Sequence, residues 1–159
     1  MTHEQLAGLL LDAVRIQHFE RSEDKHLGGA PLRHMPSIDL AVIAFPAQGR
    51  APVWANVLFS REHPQGFVAD IGSDAGAVRN VRFEADIRDE QQRSVAWLPD
   101  ADWQRLRFPP LWGAGPHRFV APYPASLAKL MPALGVARLV DQGRCGWDDR
   151  IEHDGVTHS

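Results

Sequence analysis

Apolar and polar positions change period along the chain, and each change marks an element. Over residues 3–19, Leu6, Leu9, Leu10, Ala13 and Val14 recur at three- and four-residue steps, which predicts an amphipathic helix with one apolar face. Thr2 and Gln5 have the spacing of a capping box at its start. Residues 20–36 are charged and then rich in Gly and Pro, the composition of a loop. Two β-rich runs follow, 38–45 and 53–59, and read as an antiparallel hairpin with a longer connection through 46–50. Residues 66–71 read as a third strand, and 78–87 and 94–98 as two more. Within 78–87, Val81, Phe83, Ala85 and Ile87 alternate with Arg82, Glu84, Asp86 and Arg88, the pattern of a sheet with one wet face.

The second half reads differently. Residues 100–108 fit a short helix capped by Asp100. Residues 108–119 carry three Pro and two Gly, which argues against any regular element there. A second helix is expected over 126–142, with Leu127, Leu130, Met131, Leu134 and Ala137 on a buried side. Pro132 lies near its start and Gly143 is a natural C-cap. The elements predict an α+β fold in which an antiparallel sheet is flanked by helices. Residues 1–159 read as one domain: a helix in 1–20, a strand-rich part over 37–99, a short helix and a Pro/Gly loop over 100–118, and a helix segment over 119–149.

Composition narrows the function classes. A chain of 159 residues is long enough for a sizeable core, and 44 % hydrophobic with 23 % charged residues is ordinary for a globular protein. A net charge of −3, with no basic stripe interleaved with aromatics, gives no pull toward nucleic acid. The single Cys145 excludes an internal disulfide and a cysteine-based zinc site. His18, His26 and His34 match no ligand spacing, so they read as solvated loop residues and neither metal nor cofactor is expected. No run of ~18 apolar residues exists to span a bilayer. Residues 6–11 are too short, and too poorly flanked by basic residues, for a signal peptide, so a cytoplasmic protein without a membrane partner is expected.

One stretch carries candidate chemistry. In Tyr123-Pro124-Ala125-Ser126-Leu127-Ala128-Lys129-Leu130, a serine and a lysine stand three residues apart, on one face of the expected helix. A serine in a first helical turn has unpaired main-chain N–H groups and the positive end of the dipole beside it. A lysine one turn on can accept its proton if burial favours the neutral amine. The chain has only two lysines, Lys25 and Lys129, and one of them falls at this spot. The plain alternative is that Ser126 caps the helix and Lys129 extends to water.

The surrounding sequence resembles the first active-site helix of the class A β-lactamase and DD-peptidase-like serine hydrolases. The resemblance covers 119–149, about a fifth of the chain: aromatic-Pro-Ala-Ser-x-x-Lys, an apolar helix, then Val140-Asp141-x-Gly143 and Asp148-Asp149. It implies an acyl-serine enzyme acting on a small-molecule amide or ester, with Ser126 and Lys129 as catalytic residues. Family members add a Ser-x-Asn or Tyr-x-Asn element and a Lys-Thr-Gly-like strand after this helix. Here no Lys follows Lys129, and the only later Ser is Ser159. The expectation is therefore the N-terminal part of such a hydrolase, weak or inactive without a complementing C-terminal segment. An intracellular acyl-serine transacylase and a non-catalytic interaction domain are the alternatives. Two further features read as decoys: residues 72–76 as a turn rather than a phosphate loop, and Glu84 with Asp86 as solvated carboxylates rather than a glycosidase pair.

Overall fold

The computed structural model describes residues 1–25, 28–46, 49–72, 77–95, 98, 101–121 and 129–150, the side chain of Met131 excepted. The chain divides into two compact units, Met1–Tyr123 and Pro124–Ser159. The architecture is α+β, with two α-helices and small antiparallel and mixed sheets among the described residues.

The first unit opens with α1 (His3–Arg15), started by the expected capping box: the Gln5 N–H donates to Thr2 Oγ1 at 3.2 Å, and the Thr2 N–H donates to Gln5 Oε1 at 2.8 Å. Its buried stripe is Leu6, Ala7, Leu10 and Val14, while Leu9 and Ala13 face solvent. The buried face is narrower than expected. The helix lies on the sheet along the 6–10–14 row, and Leu9 falls a quarter-turn away from it. In 20–36, read as a loop, the chain forms a short 3₁₀ turn (Phe19–Arg21) and a two-residue ribbon, β1 (Glu23–Asp24) against β2 (Ala30–Pro31).

The hairpin is observed as predicted. β3 (Ile38–Ala44) pairs antiparallel with β4 (Val53–Phe59) over seven residue pairs, from Ile38 opposite Phe59 to Ala44 opposite Val53. β5 (Phe67–Val68) adds to the other edge of β4, shorter than the expected 66–71. β4 is central and its last five residues are buried. Ala55, Val57 and Phe59 point to α1, with Met35, Ile38 and Leu40 completing that core. Leu58 points the other way, onto Ala69, Val78, Val81 and Phe119.

Those last partners introduce the second sheet: β6 (Val81–Ala85), β7 (Pro110–Trp112) and β8 (His117–Ala121), in the order β7–β6–β8. β7 runs antiparallel to β6 and β8 parallel to it, so the chain crosses over the end of β6 between them. Two glycines make that crossing close: a Cβ on Gly113 (φ 82°) would strike the Val81 carbonyl oxygen, and one on Gly115 would overlap the Asn80 carbonyl carbon. The region expected to lack regular structure therefore holds two strands. Pro110 is tolerated because it takes the first position of its strand. Trp112 stacks on Phe83 at 5.9 Å and borders, with Trp54 and Ile43, an apolar groove of about 520 Å³.

Two further expectations are corrected. The helix over 100–108 is a single turn, in which the N–H groups of Arg105 and Leu106 donate to the Asp102 carbonyl and the Gln104 N–H donates to Asp102 Oδ1. Pro109 and Pro110 bar α conformation just beyond it; Asp100, the expected cap, lies outside the described residues. That turn and Phe108 close over the face of β6 expected to be wet, so Glu84 is buried rather than solvated. The expected strand at 94–98 appears only as a single bridge, Arg88 to Ser94, among the described residues.

The second unit contains α2 (Leu130–Asp141). Pro132 occupies its first turn, where main-chain N–H groups have no intrahelical acceptor, so no hydrogen bond is lost. The helix ends as the sequence predicts. Gly143 is left-handed (φ 66°), its N–H donates to the Val140 carbonyl at 2.9 Å, and the Arg144 N–H donates to the Leu139 carbonyl at 2.9 Å. Leu130 and Leu134, expected on a buried side, are exposed, and Ala137 is half-buried. Among the described residues of this unit, one helix and the turn after it offer nothing to cover an apolar face. Leu127 and the Met131 side chain lie outside the described residues.

Candidate functional site

Lys129 stands at the head of α2 as its N-cap residue, with helical backbone angles (φ −68°, ψ −18°) and no side-chain capping bond. It is exposed. Ser126, the expected nucleophile, lies outside the described residues, as do the other residues of 122–128 that open the motif. Of the two predicted catalytic residues the structure thus places Lys129, at the N-cap of α2; the helical turn from Ser126 that the Ser-x-x-Lys reading needs lies outside the described residues.

The densest polar constellation is in the first unit, built on β8. In the parallel pair β6–β8, Arg82 lies opposite Arg118 and Glu84 opposite Val120. Arg118 forms a two-pronged pair with Glu62, Nε to Oε2 and Nη2 to Oε1, both at 2.8 Å. Its Nη1 is 4.0 Å from Glu84 Oε2, and Glu84 Oε1 accepts from Arg82 Nε at 3.0 Å. The guanidinium of Arg118 also sits 5.3 Å from the Trp103 ring centroid and 5.8 Å from that of Phe108. The hydrogen bonds that Arg118 donates to Glu62 raise the Arg118 pKa further above its ordinary value, so the charge is fixed. Each charge here is met by its neighbour, and the cluster locks the 102–108 turn to the sheet.

Beside it, His117 on β8 packs against Phe67 (ring centroids 4.6 Å apart) and against His63 (5.0 Å, edge to face). Burial, and secondly the neighbouring His117, hold the His63 pKa below its ordinary value, with Glu62 opposing. Ser60 adjoins this pair, but its hydroxyl oxygen accepts from the main-chain N–H of His63 at 3.3 Å rather than facing the ring. That geometry closes a turn and does not activate a nucleophile.

The sequence does not reveal the partners of Arg118 and His117. Glu62 and His63 are about 55 positions away in sequence, and no periodicity links them. Glu84 is legible there only as a solvated carboxylate, because alternation reveals a face but not what closes over it. Among the described residues, no group of three or more His, Cys, Asp or Glu side chains is placed to hold a metal ion. No helix among them is long and apolar enough to cross a membrane. Residues 73–76 of the predicted turn, and His26, lie outside the described residues. Compared with known proteins, the chain matches no family model, no curated protein and no solved structure.

Proposed function

We propose that Ser126 and Lys129 are the nucleophile and base of an acyl-serine hydrolase of the β-lactamase-like class. The observation that carries this reading is the Ser-x-x-Lys segment running directly into α2, with Lys129 at the head of the helix and an apolar sequence behind it. Ser126 Oγ attacks the carbonyl carbon of a small amide or ester as its proton passes to the Lys129 amine, which the complementing segment has to shield from water for it to act as a base. The tetrahedral adduct collapses, the C–N or C–O bond breaks, and Lys129 returns the proton to the leaving group. Water then attacks the acyl-serine ester, releases the carboxylic acid and restores the hydroxyl. A transacylase differs only in this last step, where an amine takes the acyl group in place of water.

The main-chain N–H of Ser126 supplies one oxyanion donor. The second donor and a second proton-shuttling group come from a complementing segment, in the same chain or another. Lacking one oxyanion donor typically costs about 2.7–4 kcal/mol of transition-state stabilisation, so residues 1–159 are weak or inactive alone. The exposed Leu130, Leu134 and Leu139 on α2 fit a helix that such a segment covers. A cytoplasmic setting belongs to the same reading, and the free thiol of Cys145 agrees with it.

The test is adduct formation on the protein isolated from its native source, read by intact mass after treatment with a penicillin and with a fluorophosphonate. One acyl or phosphonyl adduct is expected, absent from Ser126→Ala and strongly slowed in Lys129→Ala. Labelling that survives Ser126→Ala sinks the assignment. The exposure of Lys129 and of the α2 face favours a second reading, a non-catalytic interaction domain. A monomeric, cooperatively melting protein that is inert to both probes would establish that one instead.

A further inference from the structure

We propose that a cleft in the first unit, bordered by Arg33, His34, Arg61, Asp102, Trp103 and Gln104, binds a small organic oxyanion, a phosphate monoester or a carboxylate. The cleft encloses about 510 Å³, more than a bare inorganic ion fills. Two of its lining side chains each hold a buried nitrogen with no hydrogen-bond partner, His34 Nε2 and Trp103 Nε1. An indole N–H is a donor only, so what it lacks is an acceptor. The ring of His34 is oriented by its other nitrogen. Nδ1 lies 3.1 Å from the Met35 carbonyl, which can only accept, so Nδ1 carries a proton and Nε2 is left for a ligand. The imidazolium donates to either oxyanion, whereas the neutral ring suits only a phosphate monoester that keeps a P–OH, from which it accepts.

The charge in the cleft has the matching sign. Of the charged side chains lining the cleft, Arg33 and Arg61 are cationic and Asp102 is anionic. Its Oδ2 is 3.2 Å from Arg105 Nε, and its Oδ1 accepts from the Gln104 N–H at 3.2 Å. The Arg61 guanidinium lies 5.4 Å from the Trp103 ring centroid, and the Arg118 guanidinium 5.3 Å, so the indole whose N–H lacks an acceptor is flanked by cations. Arg33 reaches the rim from a left-handed backbone position (φ 62°), a conformation that costs a non-glycine residue energy and recurs where a side chain has a task.

The left-handed backbone also supplies a clean variant, because Arg33→Gly removes the charge and relieves the strain. The test is calorimetric titration of the chain with phenyl phosphate and with succinate at constant ionic strength, with chloride as the control. Saturable binding of at least one probe is expected. Arg33→Gly should weaken it about tenfold or more through loss of a charge-assisted contact. Trp103→Phe, which keeps the ring and deletes the N–H, should weaken it several-fold, on the order of one hydrogen bond. Binding of phenyl phosphate alone identifies a phosphoryl ligand, succinate alone a carboxylate, and both a shared oxyanion site. Absence of saturable binding by either probe, or binding that both variants leave unchanged, overturns the proposal. Neither Ser126 nor Lys129 takes part, so the result is independent of the acylation assay.

Discussion

Phe59 and Leu134 are both large apolar side chains inside regular elements, yet Phe59 is fully buried and Leu134 is 65 % exposed. The elements that hold them have similar local support. β4 has a partner strand on either side, and α2 has a hydrogen-bonded stop at Gly143. What differs is the next level of packing. In the first unit, α1 closes one face of β4 and the β6–β8 sheet closes the other, so each apolar row meets another. Among the described residues of the second unit a single helix has no such partner, and Leu130, Leu134, Val136 and Leu139 are left open. Regular secondary structure and a core are thus separate achievements of a sequence, and only the second supplies most of a domain's stability.

Substitutions in the two units should differ in the same way. The largest effect is expected from Phe59→Ala, which empties a fully buried aromatic site and should cost about 3–5 kcal/mol in denaturant unfolding. Gly66→Ala follows. Gly66 has φ 70°, and an added Cβ would stand 2.5 Å from the Phe59 ring, so strain and overpacking together should cost about 2–4 kcal/mol. Glu62→Gln removes the charged half of the two-pronged pair with Arg118. Because the Glu62 side chain is one-third exposed, the expected loss is smaller, about 1–2 kcal/mol, and less at high salt.

A pH effect comes next. The folded-state pKa of His63 is depressed below its ordinary value of 6.5, so the unfolded chain takes up the proton first as pH falls. The stabilisation is complete above pH 6.5 and declines below it, down to the lowered folded value. A denaturation midpoint that falls between pH 7 and pH 5.5, with part of the fall removed in His63→Asn, is the expected result. The smallest effect belongs to the second unit: Leu134→Gln, at an exposed position, should change stability by less than about 0.5 kcal/mol. A loss comparable to that of Phe59→Ala would mean that α2 is covered after all.

The elements legible in the sequence are those whose signal is local. The Thr2–Gln5 box starts α1, two β-rich runs and the Pro/Gly connection between them give β3 and β4 their pairing, and Gly143 marks the end of α2. The illegible ones depend on distant chain. β8 returns parallel to β6 through a crossing that only Gly113 and Gly115 permit, and a run of prolines and glycines looks the same whether it makes a loop or such a crossing. Glu84 is buried rather than solvated because the 102–108 turn folds over it, a contact that alternation within one strand cannot encode. Of the candidate site, the Ser-x-x-Lys spacing is legible in the sequence, and the structure contributes the position of Lys129 at the head of α2.

The contrast between the two units is tested most directly by amide hydrogen exchange of the whole chain, followed by mass spectrometry of peptides from β4 and from α2. The account predicts strong protection over 53–59, close to the limit of global unfolding, and exchange over 133–141 that is faster by orders of magnitude. Equal protection of the two segments would contradict it, because α2 would then have found its cover within this chain.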